Sequence, residues 1–396
     1  MITAPTTAHP FDLFAEHSAI QHEARRVAAE FAPRAAEIRR HLIDHGELHP
    51  QLWKDFCQHG WSALMLPVSD GGHGGSLLGT ALVLEAFAEQ GIVLWMPVLS
   101  CAIAYAIDRV GPDAARQAWL PRVAAGASHL GMAATEPGSG HNLFRTQTEI
   151  RCEGDHFVVN GLKRITSGLD LVDRVLVFGR AVEGDRATGY TTLLVDPRSP
   201  GTKITEIPMR YRDGVRQFQL EFDHVAVQAD ALVGAVGAGL SALWPFTHVE
   251  RVLTAAICTG SAEYSLARAT ARAKDRIVDG SAPIGADQAI AHPLAQLHAR
   301  LAAVRLLVHR TAARIDAGVD DRIAATDANA AKLLAADLAF DSADHAVQVF
   351  GAEAWDEREG WLDIYLDARL SRSGPVSNEF ALNYLAKHAL GLPAHR

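Results

Sequence analysis

The middle of the chain breaks into short runs of alternating apolar and polar residues, and this break constrains the fold more than any other feature. The runs lie at 148–151, 157–160, 175–178, 191–195 and 217–222. Period-two alternation between turn residues marks half-buried strands. Gly154-Asp155, between the first two runs, is a hairpin signal. Residues 128–235 are therefore expected to form a small β domain, a barrel or a sandwich.

The text on either side is helical. Residues 20–43 are rich in Ala, Arg and Glu, with apolar positions at helical spacing. Residues 60–76 end a helix and enter a Gly-rich loop, which is no phosphate loop because no GKS or GKT follows. Gly111-Pro112 is expected to cap one helix, and Trp119-Leu120-Pro121 to close another. From about residue 240 the helical pattern returns. Residues 251–275 are dense in Ala, Ser and Gly, which suits close helix–helix contact. Ile290, Leu294, Leu297, Leu301, Val304 and Val308 form a stripe of helical period, with Pro293 near that helix's first turn. Leu333, Leu334, Leu338, Val347 and Phe350 mark a third long helix. This C-terminal bundle is apolar enough for a core and a subunit interface.

Composition narrows the function. A net charge of −9 argues against nucleic acid or an anionic membrane surface as main partner. No apolar run reaches about 18 residues, so no membrane span is expected. The first residues lack the basic start and apolar core of a signal peptide, and they are not Arg-rich like a transit peptide. A cytoplasmic protein is the expectation. Cys57, Cys101, Cys152 and Cys258 lie far apart with no CxxC, as buried thiols of a reducing compartment do. His41, His45 and His49 follow at four-residue steps, without acidic or cysteine ligands at a known spacing, and read as a solvated helix end.

Two segments carry the functional signal: 132–142 (MAATEPGSGHN) and 160–168 (NGLKRITSG). Each reads as a loop beside a strand, with small residues where backbone must approach a flat ligand. They resemble the TEPxAGSD and W-I-T-N-G segments with which acyl-CoA dehydrogenases hold the flavin ring of FAD. The resemblance runs nearly end to end. Residues 60–76 are similar to that family's GLxGLxxPxxYGGxG turn, 120–126 to its LPxLxxGE, and 222–239 to its FxxVxVPxxxLLGxxGxG connector, with Gln228 for the usual proline. It implies an α+β multidomain fold: an N-terminal helical domain (1–127), a middle β-barrel or sandwich domain (128–235) and a C-terminal four-helix-bundle-like domain (236–396).

The resemblance also implies a reaction: FAD-dependent α,β-dehydrogenation of an acyl thioester. A carboxylate takes the α proton, the β hydride passes to flavin N5, and donors polarise the thioester carbonyl. In the family the base is the glutamate of a Y-E-G-T segment. Here Asp367-Ala368-Arg369 matches the preceding DAR and Ser377-Asn378-Glu379 the following T-S-E, so Pro375 stands where the glutamate would be. Proline supplies neither carboxylate nor N–H. Gly374 in place of the bulky Tyr suggests room for a wide acyl group. Glu379, one turn on, reads as a surface or capping residue. Isovaleryl and long-chain members carry the base just before an Arg at the start of the first C-terminal helix, and Glu250-Arg251 stands there. Glu250 is the candidate base, with Arg251 holding the local charge. Its bland explanation is a carboxylate favoured by a helix N-terminus.

FAD contacts carry over one by one. Met132, Ala134, Thr135 and Thr166 would meet the isoalloxazine ring, and His141, in a serine position, could reach a phosphate. Arg164 replaces the family's Trp on one flavin face. Arg276 matches the Arg of RxxFG that reaches a neighbouring subunit's FAD; the following Phe is Asp279. Gln288 and Gln348 match glutamines near the adenosine half, Gly351 the first Gly of QxxGG, and Ser377 completes the set. The implied partners are acyl-CoA or another acyl thioester, an electron-transferring flavoprotein, and further copies or a homologue in a dimer or tetramer. Two other readings remain open: a non-catalytic subunit of a hetero-oligomer, and a carrier-protein-linked dehydrogenase or oxidase of secondary metabolism.

Overall fold

The computed structural model describes residues 15–184, 186–209, 215–278, 280 and 282–393. The first fourteen residues and Asp279, both used above, lie outside this set. Helices α1 (Ala15–Phe31), α2 (Ala35–His45), α3 (Pro50–Gln58), α4 (Leu77–Ala88), α5 (Trp95–Val110) and α6 (Asp113–Ala124) form the N-terminal layer. Pro33 sits in the single 3-10 turn between α1 and α2, so the helical text at 20–43 is two helices. Pro121, expected to close a helix, lies inside α6, which continues to Ala124. The chain tolerates it because a proline costs one backbone donor and a kink, and a short exposed helix absorbs both.

The strands are β1 (Leu130–Ala133), β2 (Glu149–Glu153), β3 (His156–Ser167), β4 (Arg174–Glu183), β5 (Arg186–Val195), β6 (Thr202–Ile207), β7 (Gln217–Gln228) and β8 (Leu232–Val233). They hydrogen-bond along the path β6-β7-β3-β2-β4-β5-β8. The β2–β3 turn at Gly154-Asp155 is the expected tight hairpin, with Glu153 paired to His156. β1 and β2 both run parallel to β4, β1 opposite its residues 174–177 and β2 opposite 180–182. The chain therefore leaves the edge of β4 after Ala133 and rejoins the sheet at Glu149. Everything between is a loop held out beside the sheet.

Helices α7 (Leu240–Asp275), α8 (Gln288–Asp316), α9 (Asp321–Phe350), α10 (Trp361–Ser371) and α11 (Asn378–His388) form the C-terminal bundle. Pro293 lies in the second turn of α8. α7 begins at Leu240, where helical text was expected to return, and carries Pro245 in its second turn; the Ala-rich stretch from Arg251 continues it. Glu250 is thus in mid-helix and not at a helix start. The helix dipole acts within the first turn, so it does not explain this carboxylate.

The two helical layers share one apolar core, while the sheet closes a second. α4 is buried along its whole length. Its first backbone donors would be orphans. Ser76 accepts from Gly79 N at 2.8 Å, and the Asp316 carboxylate at the end of α8 accepts from Leu77 N and Leu78 N at 2.8 and 2.9 Å. Further along α4, Glu85 accepts from Arg305 Nε and pairs with His309 Nε2, each at 2.5 Å. Burial opposes ionisation of Glu85, but His309 and Arg305 outweigh it and hold its pKa below the usual carboxylate range. Glu85→Ala would leave buried His309 without its carboxylate, while Arg305 keeps Glu89 and Glu263, and we expect a loss of about 3 kcal/mol in urea denaturation. Because the folded pKa is depressed, the stability that Glu85 contributes is present above the ordinary carboxylate pKa and lost as pH falls; the variant should lack that part of the acid sensitivity.

Candidate active site

The two loops flagged in the sequence meet side by side. Arg164 N donates to the Thr135 carbonyl at 2.8 Å. Beneath that bond lies a buried ion pair, Lys163 Nζ to Glu136 Oε1 at 2.8 Å. Lys163 also donates to the Ala134 carbonyl and to Thr146 Oγ1, each at 3.0 Å. Glu136 accepts from Gln147 N at 2.6 Å, from Thr148 N at 2.9 Å and from the Thr146 hydroxyl. Burial works against the Glu136 charge, yet Lys163 and these donors win and hold its carboxyl at about 2. Burial pushes Lys163 down to about 8 against the support of Glu136. One carboxylate therefore gathers both ends of the 134–148 loop and fastens them to β3.

β3 is irregular where it faces this loop. Its register against β7 shifts between Arg164 and Thr166, and Ile165 has φ 58°. A β-branched residue at positive φ is strained and persists only where its surroundings dictate it. The bulge breaks the alternation: Lys163 and Thr166 are buried, while Arg164 and Ile165 are exposed, Ile165 to 43%. Met132, Ala134 and Thr135 are half-buried on the neighbouring segment. The Thr166 hydroxyl is buried without a protein partner. Such an orphan costs about 1–3 kcal/mol unless something else satisfies it.

On the bundle side, Glu250 keeps partial access to the surface and has no hydrogen bond among the described residues. Enough protein surrounds its carboxyl that burial pushes the pKa up to about 7, opposed by Arg251 and then Lys332. His141 reaches the same region from the first loop: its ring lies 5.7 Å from Phe380, and burial, Lys332 and Arg251 lower its pKa. Ser377, expected at the cofactor, accepts from Phe380 N at 3.3 Å as the N-cap of α11. Glu379 is exposed in the first turn of that helix. The 374–378 turn, where the family's glutamate would stand, is held by Lys332 Nζ, which donates to the Val376 carbonyl at 2.5 Å and to Asn378 Oδ1 at 2.9 Å. A Cβ on Gly374 would meet nothing within 4 Å. Further along α7, Ile257, Cys258 and Ser261 wall a cavity of about 20 Å³ with Trp95 and Ser371.

The chain belongs to the acyl-CoA dehydrogenase family. Models of that family's N-terminal, middle and C-terminal domains match residues 15–127, 131–225 and 237–390. The chain is 37% identical over 345 residues to "Acyl-CoA dehydrogenase FadE12" of Mycobacterium tuberculosis (strain ATCC 25618 / H37Rv), covering 87% of this chain and 88% of the relative. It is similar in fold to a glutaryl-coenzyme A dehydrogenase in complex with glutaryl-CoA, at TM-score 0.88 and 21% identity over 98% of this chain and all of the other. It is also similar to an FAD complex of PigA, at TM-score 0.87 and 23% identity over 97% and 100%. The acyl-CoA dehydrogenase fold of helices, mixed sheet and helices is the one described above. The family's enzymes are oxidoreductases acting on CH–CH groups.

The remaining family matches lie elsewhere. Arg276 is the exposed C-cap of α7, where its carbonyl accepts from Ile284 N at 2.8 Å. Gln288 opens α8, and Gln348 and Gly351 lie exposed at the end of α9. Arg272, one turn before Arg276, pairs with Glu353 at 2.5 Å, which brings the α7 and α9 ends together. α7 from Glu250 to Asp275 spans roughly 38 Å at about 1.5 Å per residue. The candidate residues thus form two groups, one beside Glu250 within α7 and one at the C-terminal end of that helix. Lys332 and the Glu136–Lys163 pair were not assigned roles from the sequence. For Lys332 a signal existed: it falls on the face of α9 with Ala328, Ala335 and Ala336, all buried.

His41, His45 and His49 also gather, with ring centroids 4.6 and 5.3 Å from His41. His49 is a buried cap of α3, accepting from Leu52 N at 3.4 Å, and not part of a solvated end. Among the described residues no group of three or more His, Cys, Asp or Glu is placed to hold a metal, and no helix is long and apolar enough to cross a membrane.

The raised pKa of Glu250 has a consequence for stability. A folded-state value above the ordinary 4.5 favours folding below that value and loses the advantage as pH rises through about 7. Glu250→Gln removes the penalty. Its thermal midpoint, relative to the natural chain, should be higher near pH 8 than near pH 5; equal differences at both would mean that the carboxyl is not raised.

Proposed function

We propose that this chain is an FAD-dependent acyl-thioester α,β-dehydrogenase in which Glu250 takes the α proton. The observation that carries the reading is the unpaired Glu250 carboxyl, with pKa near 7, beside Arg251 and in the field of Lys332, the two cations that also act on His141 of the first loop. Thr166 supplies the fit for FAD: its buried hydroxyl lacks a protein partner, and the exposed bulge at Arg164 and Ile165 leaves the backbone open to a flat ring. Met132, Ala134 and Thr135 would line the ring, and His141 the pyrophosphate side. FAD, when bound, would accept the hydride leaving the β carbon.

The chain's own part is positional and electrostatic. Glu250 accepts the α proton, and a pKa near the operating pH suits a general base. Arg251 favours its ionised form and offers charge to the thioester oxygen. Pro375 removes one N–H donor from the family's arrangement, but Val376 N and Ser377 N have no acceptor among the described residues and remain in the same turn. Open space at Gly374 supports a wide acyl group, branched or cyclic.

The second group, Arg276, Gln288, Gln348 and Gly351, lies too far along α7 to serve the same site. It supports an assembly in which each copy completes the FAD site of another, as a dimer or tetramer. Domain boundaries near 127 and 235 and an electron-transferring flavoprotein as acceptor belong to this reading.

The holoprotein, expressed alone, should be yellow and should bleach anaerobically with isovaleryl-CoA or cyclohexanecarbonyl-CoA faster than with palmitoyl-CoA. Glu250→Gln should keep FAD and lose bleaching by about a thousandfold or more. A colourless homogeneous chain, or bleaching that survives the substitution, would defeat the proposal.

A further inference from the structure

Lys332 is fully buried, 0% exposed, in the middle of α9. Its ammonium touches no carboxylate. Its acceptors are the Val376 carbonyl and Asn378 Oδ1, both uncharged. The nearest acid on its own helix, Asp337, is one hydrogen bond further off: it accepts from Asn378 Nδ2 at 2.9 Å and pairs with Arg372 Nε at 2.8 Å. The anion that could neutralise Lys332 is thus shared with another cation. A buried cation without a contact anion is expensive, and a methionine or leucine would fill this Ala-lined slot without that penalty. Something must favour the charge.

The groups that face it define what. From α7 come Cys258, Arg251 and Glu250; from α9, Asp337; from α11, Glu379; from the 132–142 loop, His141. Of the acids, Asp337 is paired and Glu379 is exposed. Glu250 alone is both shielded and unpaired. The turn that Lys332 fastens, 374–378, is the one in which Pro375 replaces the family's glutamate. Its backbone has lost a donor there, and the tie to Val376 gives the turn an anchor that the proline cannot.

Resting on the function proposed above, we propose that Lys332 is a positioning residue for proton abstraction: it holds the 374–378 turn to α9 and, through its uncompensated charge, sets the electrostatic environment in which Glu250 works. Lys332 acts through that turn and through its charge. Two roles reside in one ammonium, and they separate by substitution. Glutamine keeps a donor for the Val376 carbonyl and removes the charge. Arginine keeps the charge and cannot deprotonate. Burial brings Lys332 itself down to about 8, so between about 7 and 8 both Glu250 and Lys332 are ionised. The bleaching rate should rise as Glu250 ionises through about 7.

The test is an infrared titration of the holoprotein, following the carboxyl band that Glu250→Gln removes; it needs no turnover. In Lys332→Gln the midpoint of that band should move up by about one pH unit, with the thermal midpoint little changed. Lys332→Arg should restore it. A band whose midpoint stays put in Lys332→Gln overturns the proposal, because a purely structural lysine changes stability and leaves the titration alone. If the glutamine variant does not fold, Lys332→Met, which fills the same slot without the charge, decides by the same band: its midpoint should rise, and an unchanged midpoint overturns the assignment. Failure of every acyl-CoA to bleach the natural chain would count against the dehydrogenase reading, while the infrared result would still report on Lys332.

Discussion

The Glu136–Lys163 pair is the interaction on which the rest of the site depends. It is desolvated on both sides and saturated with donors, so its geometry is fixed far more tightly than a surface ion pair would be. Through it, the loop that leaves the sheet after β1 and returns at β2 is clamped onto β3. That clamp allows β3 to hold Ile165 at an unfavourable φ, and the resulting bulge turns two successive side chains outward beside Thr135. Two segments some twenty residues apart become one surface because a carboxylate and an amine are buried together beneath them.

The helical bundle supplies the other wall, and polar ties set its position as much as apolar packing does. Asp316 caps α4 from the end of α8, and Glu85 binds α8 from the middle of α4. α7 runs between these layers and carries Glu250 in its third turn, where neither a cap nor a dipole accounts for a carboxylate. Lys332 then secures the turn opposite. The shielded acids that tie the helical layers together are hydrogen-bonded or paired, whereas Glu250 has no hydrogen bond among the described residues.

Much of this was legible in the sequence, and the limits are physical. Period-two text located β2, β3, β4, β5 and β7 but not β1, β6 or β8, and the Gly154-Asp155 turn fixed the register of β2 on β3, because a two-residue loop leaves no choice. The TEP and ITSG loops were found through resemblance, and the sheet explains them: β1 and β2 share one edge of β4. Proline and resemblance each misled once. Pro121 read as a break, yet it lies within α6; the resemblance placed Glu250 at a helix start, although the helical text already returned near residue 240 and α7 begins there. Burial inverted the polarity of β3. By type, Lys163 should face solvent and Ile165 the core; the buried partner at Glu136 reverses both, and nothing within 160–168 announces a partner near residue 136. Lys332 carried a local signal, a cation on an alanine face, which periodicity alone treats as noise.

α7 bears residues of both groups on one continuous rod, and this has a genetic corollary. If every site in the assembly draws its acid from one copy and its distal nucleotide contacts from another, a chain damaged only near Glu250 and a chain damaged only near Arg276 are complementary defects. Mixed in one cell, two such inactive alleles would assemble a fraction of intact centres and restore partial function to each other, whereas a single chain carrying both lesions would rescue nothing.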